Sequence, residues 1–482
     1  MTLFALFNVA FAAEVSITSS DDINAAVNAL SPGDTLIFTS GNYSLEGTEW
    51  TLIGQSDSPI TLRAEAGAQF VIFPGDEGYP TAGIQLVDSS WVVLDGLELG
   101  GDSDWETGTF NGIIVTGGED ITVQNMVISD IPSSSILITG EARRVTIQDT
   151  RIRDTLVGSA IEVGCPDAAC FTESIVVNHN WIHGINGESE PAIHLHHGTQ
   201  GATIMDNVVY DVEQHGLYLG SAENGDMNIA EGNAIWNING SGVVGRGNAM
   251  LRNNIIFNIV KHGIHFQDPG RDAYDQMIIS FNSIVNTGGW GAYLNNWSGL
   301  SGNVLANNAI CSPIAQSVHL VGLEEGENDT AFEPISPYVG HFISNNVLCG
   351  QLLNLDIDFG HYIVGDGFAD FIDVEAWNLY PSETSQLRDA ADVDGQSYIP
   401  EYDFNGVVRT GSNPEVGAYE WDGFENPGWA VQEGFKSFDL NYSTTNEVLG
   451  GGCCRTDDKT AEAALVLPLL FVAAYRRREE RI

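Results

Sequence analysis

Val177-Asn178-His179-Asn180-Trp181-Ile182 and Met205-Asp206-Asn207-Val208-Val209-Tyr210 are two copies of one phrase: an apolar residue, Asn or Asp, apolar residues, then a polar stop. Toward the amino terminus it returns as Val123-Gln-Asn125-Met-Val-Ile and Ile147-Gln-Asp149-Thr-Arg-Ile. Toward the carboxyl terminus it returns at Asn233, Asn254, Asn282, Asn308 and Asn346, with spacings from 21 residues (Asn233 to Asn254) to 38 (Asn308 to Asn346). A repeat of this period means that no unit buries its apolar face alone; each must stack on its neighbours. Short β-branched runs of period two, broken by Asn and Gly, make the unit a coil of strands and turns. The pattern predicts an all-β parallel β-helix whose Asn column is a buried amide ladder at a turn. An antiparallel sandwich would show paired hairpin turns every ~8–12 residues, and these are not seen.

The chain has 482 residues, 54 of them Gly, and is 43% hydrophobic, as suits one large repeat domain rich in turns. Its 18 basic against 65 acidic residues give a formal charge of −47, spread along the whole length. Such a field repels nucleic acid and anionic membrane surfaces, which excludes nucleic-acid binding. It is equally what a secreted protein in salty water would carry. Residues 1–13 are almost wholly apolar and end in small residues at Ala10-Phe-Ala12-Ala13, which predicts a secretory signal lacking its basic start.

The six cysteines agree with an oxidising compartment. Cys165 and Cys170 bracket a short loop and can close it. Cys311 and Cys349 each lie three residues after an Asn of the phrase. In stacked coils their Cα atoms would sit one strand spacing apart, ~4.8 Å, inside the disulfide window. At the end of the chain, Gly450-Gly-Gly-Cys453-Cys454-Arg precedes a polar spacer, the apolar run Ala463–Tyr475 and Arg476-Arg477-Arg478. That run spans ~20 Å as a helix, short of the ~30 Å hydrocarbon core, so membrane contact is expected only through this segment. The arrangement resembles the Cys-containing C-terminal sorting tails of myxobacterial surface proteins, departing from them in its Cys pair and in Glu479-Glu480. The resemblance implies display on, or release from, the outer surface.

After the signal, Asp21-Asp22-Ile-Asn-Ala-Ala-Val-Asn-Ala-Leu30 has helical spacing and predicts a helix capping the open N-terminal end. Strand-like units follow at Ser58-Pro-Ile-Thr-Leu-Arg63, Gly83-Ile-Gln-Leu-Val87 and Ser90-Trp-Val-Val-Leu-Asp-Gly96, and Asn413-Pro-Glu-Val-Gly-Ala-Tyr-Glu-Trp421 reads as the closing strand. The expected organisation is a signal over 1–13, a β-helix domain over 14–421, a polar linker over 422–460 and an apolar sorting segment over 461–482. Pro32-Gly-Asp34-Thr-Leu-Ile, Gly41-Asn-Tyr43, Pro59-Ile-Thr-Leu-Arg63 and Trp91-Val-Val-Leu-Asp-Gly-Leu97 are similar to right-handed parallel β-helix proteins of the pectate-lyase-like superfamily. The opening looks closest to polysaccharide lyases of the chondroitinase B and alginate lyase type. The resemblance implies a single-stranded right-handed parallel β-helix solenoid with an N-terminal capping helix, and it speaks to architecture rather than activity.

The strands preceding each Asn phrase align through their small–apolar starts, and alternate residues point outward. One outward column then reads Glu162, His194, Tyr218, Val244, His265, Tyr293. A second reads His196, Gly220, Arg246, Gln267, Asn295, and the column ahead holds His215 and His262. In the coils before them the first column carries Ile114 and Leu137, so the polar character is local. His titrates near neutrality and can share acid and base roles with Tyr. Elimination on a uronate needs a base, an acid for the leaving oxygen, and a cation for the carboxylate. His194, Tyr218, Lys261 and His265 are the candidate catalytic residues. His196, His215, Arg246, Gln267, Arg271, Trp290 and Tyr293 are the candidate substrate-binding residues. A plainly structural reading is that outward β-helix faces are polar and that stacked His, Tyr and Asn pair across strands.

A zinc-type site from Glu162, His194, His196 and His215 is a sharper alternative without confirming ligand spacing. Asp268-Pro-Gly-Arg-Asp272-Ala-Tyr-Asp275 has the carboxylate density to hold Ca²⁺ but not the EF-hand spacing; no other cofactor is implied. Paired-Asp motifs of the polygalacturonase kind are missing, and the surroundings of Lys261 and Arg271 do not match a lyase signature. The expected function is a secreted or surface-displayed, monomeric carbohydrate-active protein cleaving an acidic polysaccharide by β-elimination. The alternatives are a non-catalytic glycan-binding or adhesive surface β-helix and a purely structural relative.

Overall fold

Residues 12–45, 47–72, 81–101, 110–166, 170–187, 190–222, 225–266, 276–294, 302–320, 342–353, 361–393, 398–409, 413–423, 425–426 and 431 are described by the computed structural model. They belong to the unit Met1–Leu440; the unit Asn441–Ile482, with Cys453, Cys454 and the apolar tail, lies outside them. Among the described residues no helix is long and apolar enough to cross a membrane.

Short runs with period-two burial, such as Ile121 and Val123 inward beside Thr122 and Gln124, form strands that pair in parallel with the strands one coil away. The result is a right-handed parallel β-helix: among the described residues, a 37-stranded sheet wound into three faces. Face A holds Ile161–Val163, Ile193–Leu195, Leu217–Gly220, Val243–Arg246, Ile264–Phe266 and Ala292–Leu294 in register. Face B includes Val176–Asn178 and Thr203–Met205. Face C includes Trp181–Ile185, Val208–Val212, Ala234–Ile238 and Ile255–Ile259. Inward residues stack like on like: Ile136, Ile161, Ile193, Leu217, Val243 and Ile264 form one fully buried row of face A. Each such side chain contributes ~1.5–3 kcal/mol of burial. The predicted capping helix is Ile23–Asn28. Asp22 caps it by accepting from the Ala25 N–H at 3.0 Å, and Val27 is buried in the core.

The amide ladder runs from Asn180 through Asn207, Asn233, Asn254, Asn282 and Asn308 to Asn346, at the turn between faces B and C. Each Nδ2 donates to the Oδ1 of the next Asn at 2.9–3.0 Å. The same Oδ1 accepts the backbone N–H of the preceding Asn. The second Nδ2 hydrogen goes to a carbonyl one coil back, such as Ile204 from Asn233 at 2.9 Å. The buried amides from Asn180 to Asn308 thus use both Nδ2 hydrogens, and Asn346 ends the row by donating to the Leu305 carbonyl. Two expected members are displaced by one residue. Gln148 pairs with Asn178, so Thr150, not Asp149, aligns with Asn180, and Met126 stands where Asn125 was expected. Asn125 and Asp149 instead occupy the neighbouring left-handed position, with φ of 54° and 51°, which short polar side chains tolerate best after Gly.

A second departure is at the C-terminal end. Residues 413–421 do not close the solenoid as a strand. After a strand His361–Val364 and a short antiparallel pair, Phe371–Asp373 with Asn378–Pro381, the chain returns as an irregular strap across the outside of face C. Phe371, Leu379, Tyr380, Phe404, Val416, Ala418 and Tyr419 bury the outward residues Val208, Tyr210, Trp236, Phe257 and Val285. The Ala418 N–H donates to Ser283 Oγ at 3.0 Å, and the Gly417 N–H donates to the Asn307 carbonyl at 2.9 Å. Both predicted disulfides are present: Cys165–Cys170, and Cys311–Cys349, paired in register with Cα atoms 4.6 Å apart.

Candidate functional site

The outward column on face A is as the spacing implied: Leu137, Glu162, His194, Tyr218, Val244, His265, Tyr293 pair in succession. Ile114 pairs with Leu137 before them, so the polar stripe begins at Glu162. Its residues do not form one centre. Val244 is fully buried and interrupts the stripe, and three strand spacings, ~14 Å, separate His194 from His265.

The upper cluster is a connected chain of contacts. Ser134 Oγ donates to Glu162 Oε2 at 2.5 Å, and Glu162 Oε1 lies 2.9 Å from His196 Nε2. The His196 and His194 rings lie 3.8 Å apart between centroids, and His194 meets Tyr218 edge-on at 4.8 Å. His194 Nδ1 is 3.1 Å from Glu190 Oε2. Arg246 Nη1 donates to the Tyr218 hydroxyl at 3.1 Å. It reaches across the strand pair because Gly220, its register partner, has no side chain. Burial pushes the Glu162 carboxyl up, but hydrogen bonds from His196 and Ser134 outweigh it and hold the group below the usual carboxylate range.

The lower cluster combines cationic and aromatic residues. His262 stacks on Tyr293 at 5.0 Å and meets His265 at 5.1 Å, and Trp290 lies 6.4 Å from Tyr293 at a shallow angle. Burial, aided by Lys261, pulls His265 down to about 4. His215, placed between the clusters, is also pulled down to about 4, by burial first and then by Lys261. Both imidazoles are therefore neutral at pH 7. His215 and His262 share a further role. Each Nδ1 accepts a backbone N–H from the next coil, Ser241 at 2.9 Å and Trp290 at 3.0 Å. That bond fixes Nε2 as the protonated nitrogen, so these two rings offer donors and not bases.

The zinc-type set does not assemble. Glu162 is engaged by His196 and Ser134, His215 Nδ1 by the Ser241 N–H, and no three potential ligands are grouped to hold a metal among the described residues. Gln267, Arg271, Asn295 and the acidic loop Asp268–Asp275 lie outside the described residues. Two participants went unread in the sequence. Glu190 stands four residues before His194 across a proline, and Ser134 sits in the Ser133-Ser134-Ser135 run one coil above Glu162. Only the residue spacing of Glu190 and His194 could have signalled the first.

Residues 111–273 match the family model of the right handed beta helix region. No curated protein sequence matches the chain. Among solved structures it is similar to the pectate lyase Pel9A, with 13% identity, a TM-score of 0.48, and coverage of 86% of this chain and 97% of that one. It is similar also to an alginate lyase from Paenibacillus sp. str. FPU-7, with 14% identity, a TM-score of 0.46, and coverage of 64% and 98%. A third is the A-module of the Azotobacter vinelandii mannuronan C-5 epimerase AlgE6, with 12% identity, a TM-score of 0.48, and coverage of 69% and 94%. At such identities likeness concerns architecture, and the chemistry of face A rests on its own residues.

Proposed function

We propose that face A binds an acidic polysaccharide and cleaves it by β-elimination, in a protein that works outside the cell. The observation that carries this reading is the contiguous His194–Tyr218–Arg246 group on one outer face. An imidazole and a phenol one strand spacing apart can serve one sugar ring as acid and base, and the guanidinium beside them supplies positive charge for a uronate carboxylate. In this reading His194 takes the proton α to the carboxylate and Tyr218 protonates the departing glycosidic oxygen. The C–O bond breaks as the C=C bond forms. Lys261, His265, Tyr293 and Trp290 sit too far from His194 to share that step, so they bind neighbouring sugars through charge and ring stacking. Two disulfides fit an extracellular setting.

A panel of uronate polysaccharides followed by the ultraviolet absorbance of unsaturated product tests the proposal. Tyr218→Phe and His194→Ala should each lower kcat by about 10²-fold or more, while His265→Ala should act mainly on KM. Wild type that binds glycan yet releases no unsaturated product on any substrate would overturn the lyase reading in favour of a glycan-binding surface, which the stacked His262, Tyr293 and Trp290 would equally suit.

A further inference from the structure

Glu162 takes no direct part in the step just described, yet it is the most heavily engaged carboxylate on face A. Its side chain is 18% exposed, and His196 beside it is 10% exposed. Both Glu162 oxygens are committed, one to Ser134 Oγ and one to His196 Nε2, so neither is free for a substrate. A carboxylate accepts, so the imidazole nitrogen facing it carries the proton. The same holds one column position further on, where Glu190 faces His194 Nδ1 and leaves Nε2 as the nitrogen that can accept. His196 is clamped from behind as well. A side chain at Gly164 would come within 2.9 Å of the His196 Cβ, and the glycine's φ of +98° is one that other residues rarely adopt. The disulfide Cys165–Cys170 fastens the loop that starts directly after this glycine, with the Gly140 N–H donating to Cys170 Sγ at 3.2 Å.

We propose that Glu162 is a positioning residue: with Ser134 behind it, it locks His196, and the His196 ring holds His194 against Tyr218 with Nε2 left open as the base. This rests on the lyase reading for its kinetic consequence, but not for the ring geometry. Glu162 thus acts through His196 and never touches the sugar. The charge it holds below the usual carboxylate range suits a permanent acceptor. Loss of such an orienting partner misplaces the reacting group without removing it, and a displacement of about 1 Å is enough to cost ~10²-fold in rate.

Glu162→Gln keeps the shape and the bond from Ser134 but can present an N–H to His196, which forces the ring to change tautomer or turn. The expected result is a fall in kcat of about 10²-fold with KM within about twofold, partial recovery in Glu162→Asp, and an unchanged thermal midpoint. Nitrogen-15 spectra of the imidazoles in the free protein give a readout independent of turnover. Altered tautomer signals at both His196 and His194 in Glu162→Gln support the proposal. Unaltered signals in a folded variant overturn it, whatever the kinetics. Altered signals in a protein whose wild type makes no product would refute the lyase reading and retain Glu162 as the organiser of a binding face.

Discussion

Faces A and C of the solenoid are built by the same rule and end in opposite states. On both, alternate residues point outward and stack one coil upon the next. On face C the outward column is aromatic and flat: His183 on Tyr210 at 5.0 Å, Tyr210 on Trp236 at 4.7 Å, Trp236 on Phe257 at 5.8 Å. Trp377 of the strap closes over the last two. On face A the outward column carries half-buried Glu162, His194, Tyr218, His265 and Tyr293, and polar contacts tie Glu162 and Tyr218 to His196 and Arg246 of the neighbouring column. The difference shows that outward does not mean exposed. A column of large apolar residues on a β-helix requires a cover, and a column of titratable residues requires partners.

The sharpest way to break this contrast is to truncate one residue on each face. Trp236→Ala removes a fully buried ring between solenoid and strap and should cost ~3–5 kcal/mol, measured by denaturant unfolding. Tyr218→Phe should cost less than ~1 kcal/mol while lowering kcat by about 10²-fold or more. Equal losses at the two positions would show that face A is also a structural face.

A smaller effect is expected where the strap docks. Asn253, Asn307 and Asn345, each the first of an Asn–Asn pair, bind strap backbone. Asn253 Nδ2 donates to the Tyr402 carbonyl, Asn307 exchanges two bonds with Asp392 at 2.9 Å, and Asn345 Nδ2 reaches the Ala390 carbonyl at 2.8 Å. Asn307→Ala should cost ~1–3 kcal/mol and make the segment after residue 361 the first to be cut in limited proteolysis. Cleavage elsewhere first would mean that the strap is held mainly by its apolar contacts.

The smallest effect is electrostatic. Arg409 belongs to the strap and is buried against the solenoid, its guanidinium donating to Glu420 at 3.1 Å and to Asn253 at 3.0 Å, over the Phe281 ring. Three buried carboxyls, Asp403, Glu415 and Glu420, surround this one cation. Burial, reinforced by Glu415 and opposed by Arg409, pushes Glu420 from 4.5 up to about 8. The folded protein then holds a proton that the unfolded chain releases above about pH 4.5, so stability falls as pH rises through that window and levels off above about 8. Glu420→Gln should flatten this slope and change stability at pH 7 by less than ~1 kcal/mol. A slope that persists in the variant would assign the titration to Asp403 or Glu415.

These same pairs show what was legible beforehand. The phrase containing Asn180, Asn207 and Asn254 fixed the register, and register alone placed Glu162, His194 and Tyr218 side by side and Cys311 opposite Cys349. It misplaced Asn125 and Asp149 by one residue because two neighbouring turn positions both favour Asn and Asp, one for a buried amide and one for a left-handed backbone. The strap was misread because Val416 and Ala418 alternate like a strand, while irregular backbone held by side chains has no period to detect. The doubled Asn of 253–254, 307–308 and 345–346 was in plain view, and its meaning needed the strap. Within the site, the outward column was readable, but the contact between Ser134 and Glu162 joins a loop to a strand and leaves no trace in spacing.

The amide-to-amide bonds of the ladder all run one way, each Nδ2 from Asn180 to Asn308 donating to the Oδ1 of the next coil toward the carboxyl terminus. Their dipoles therefore add along the solenoid axis, as peptide dipoles do along an α-helix, and each bond polarises the next. A single Asn→Leu change in mid-row would do more than leave a gap. It would divide one long polarised wire into two short ones, so the loss should be greater at Asn254 than at either end.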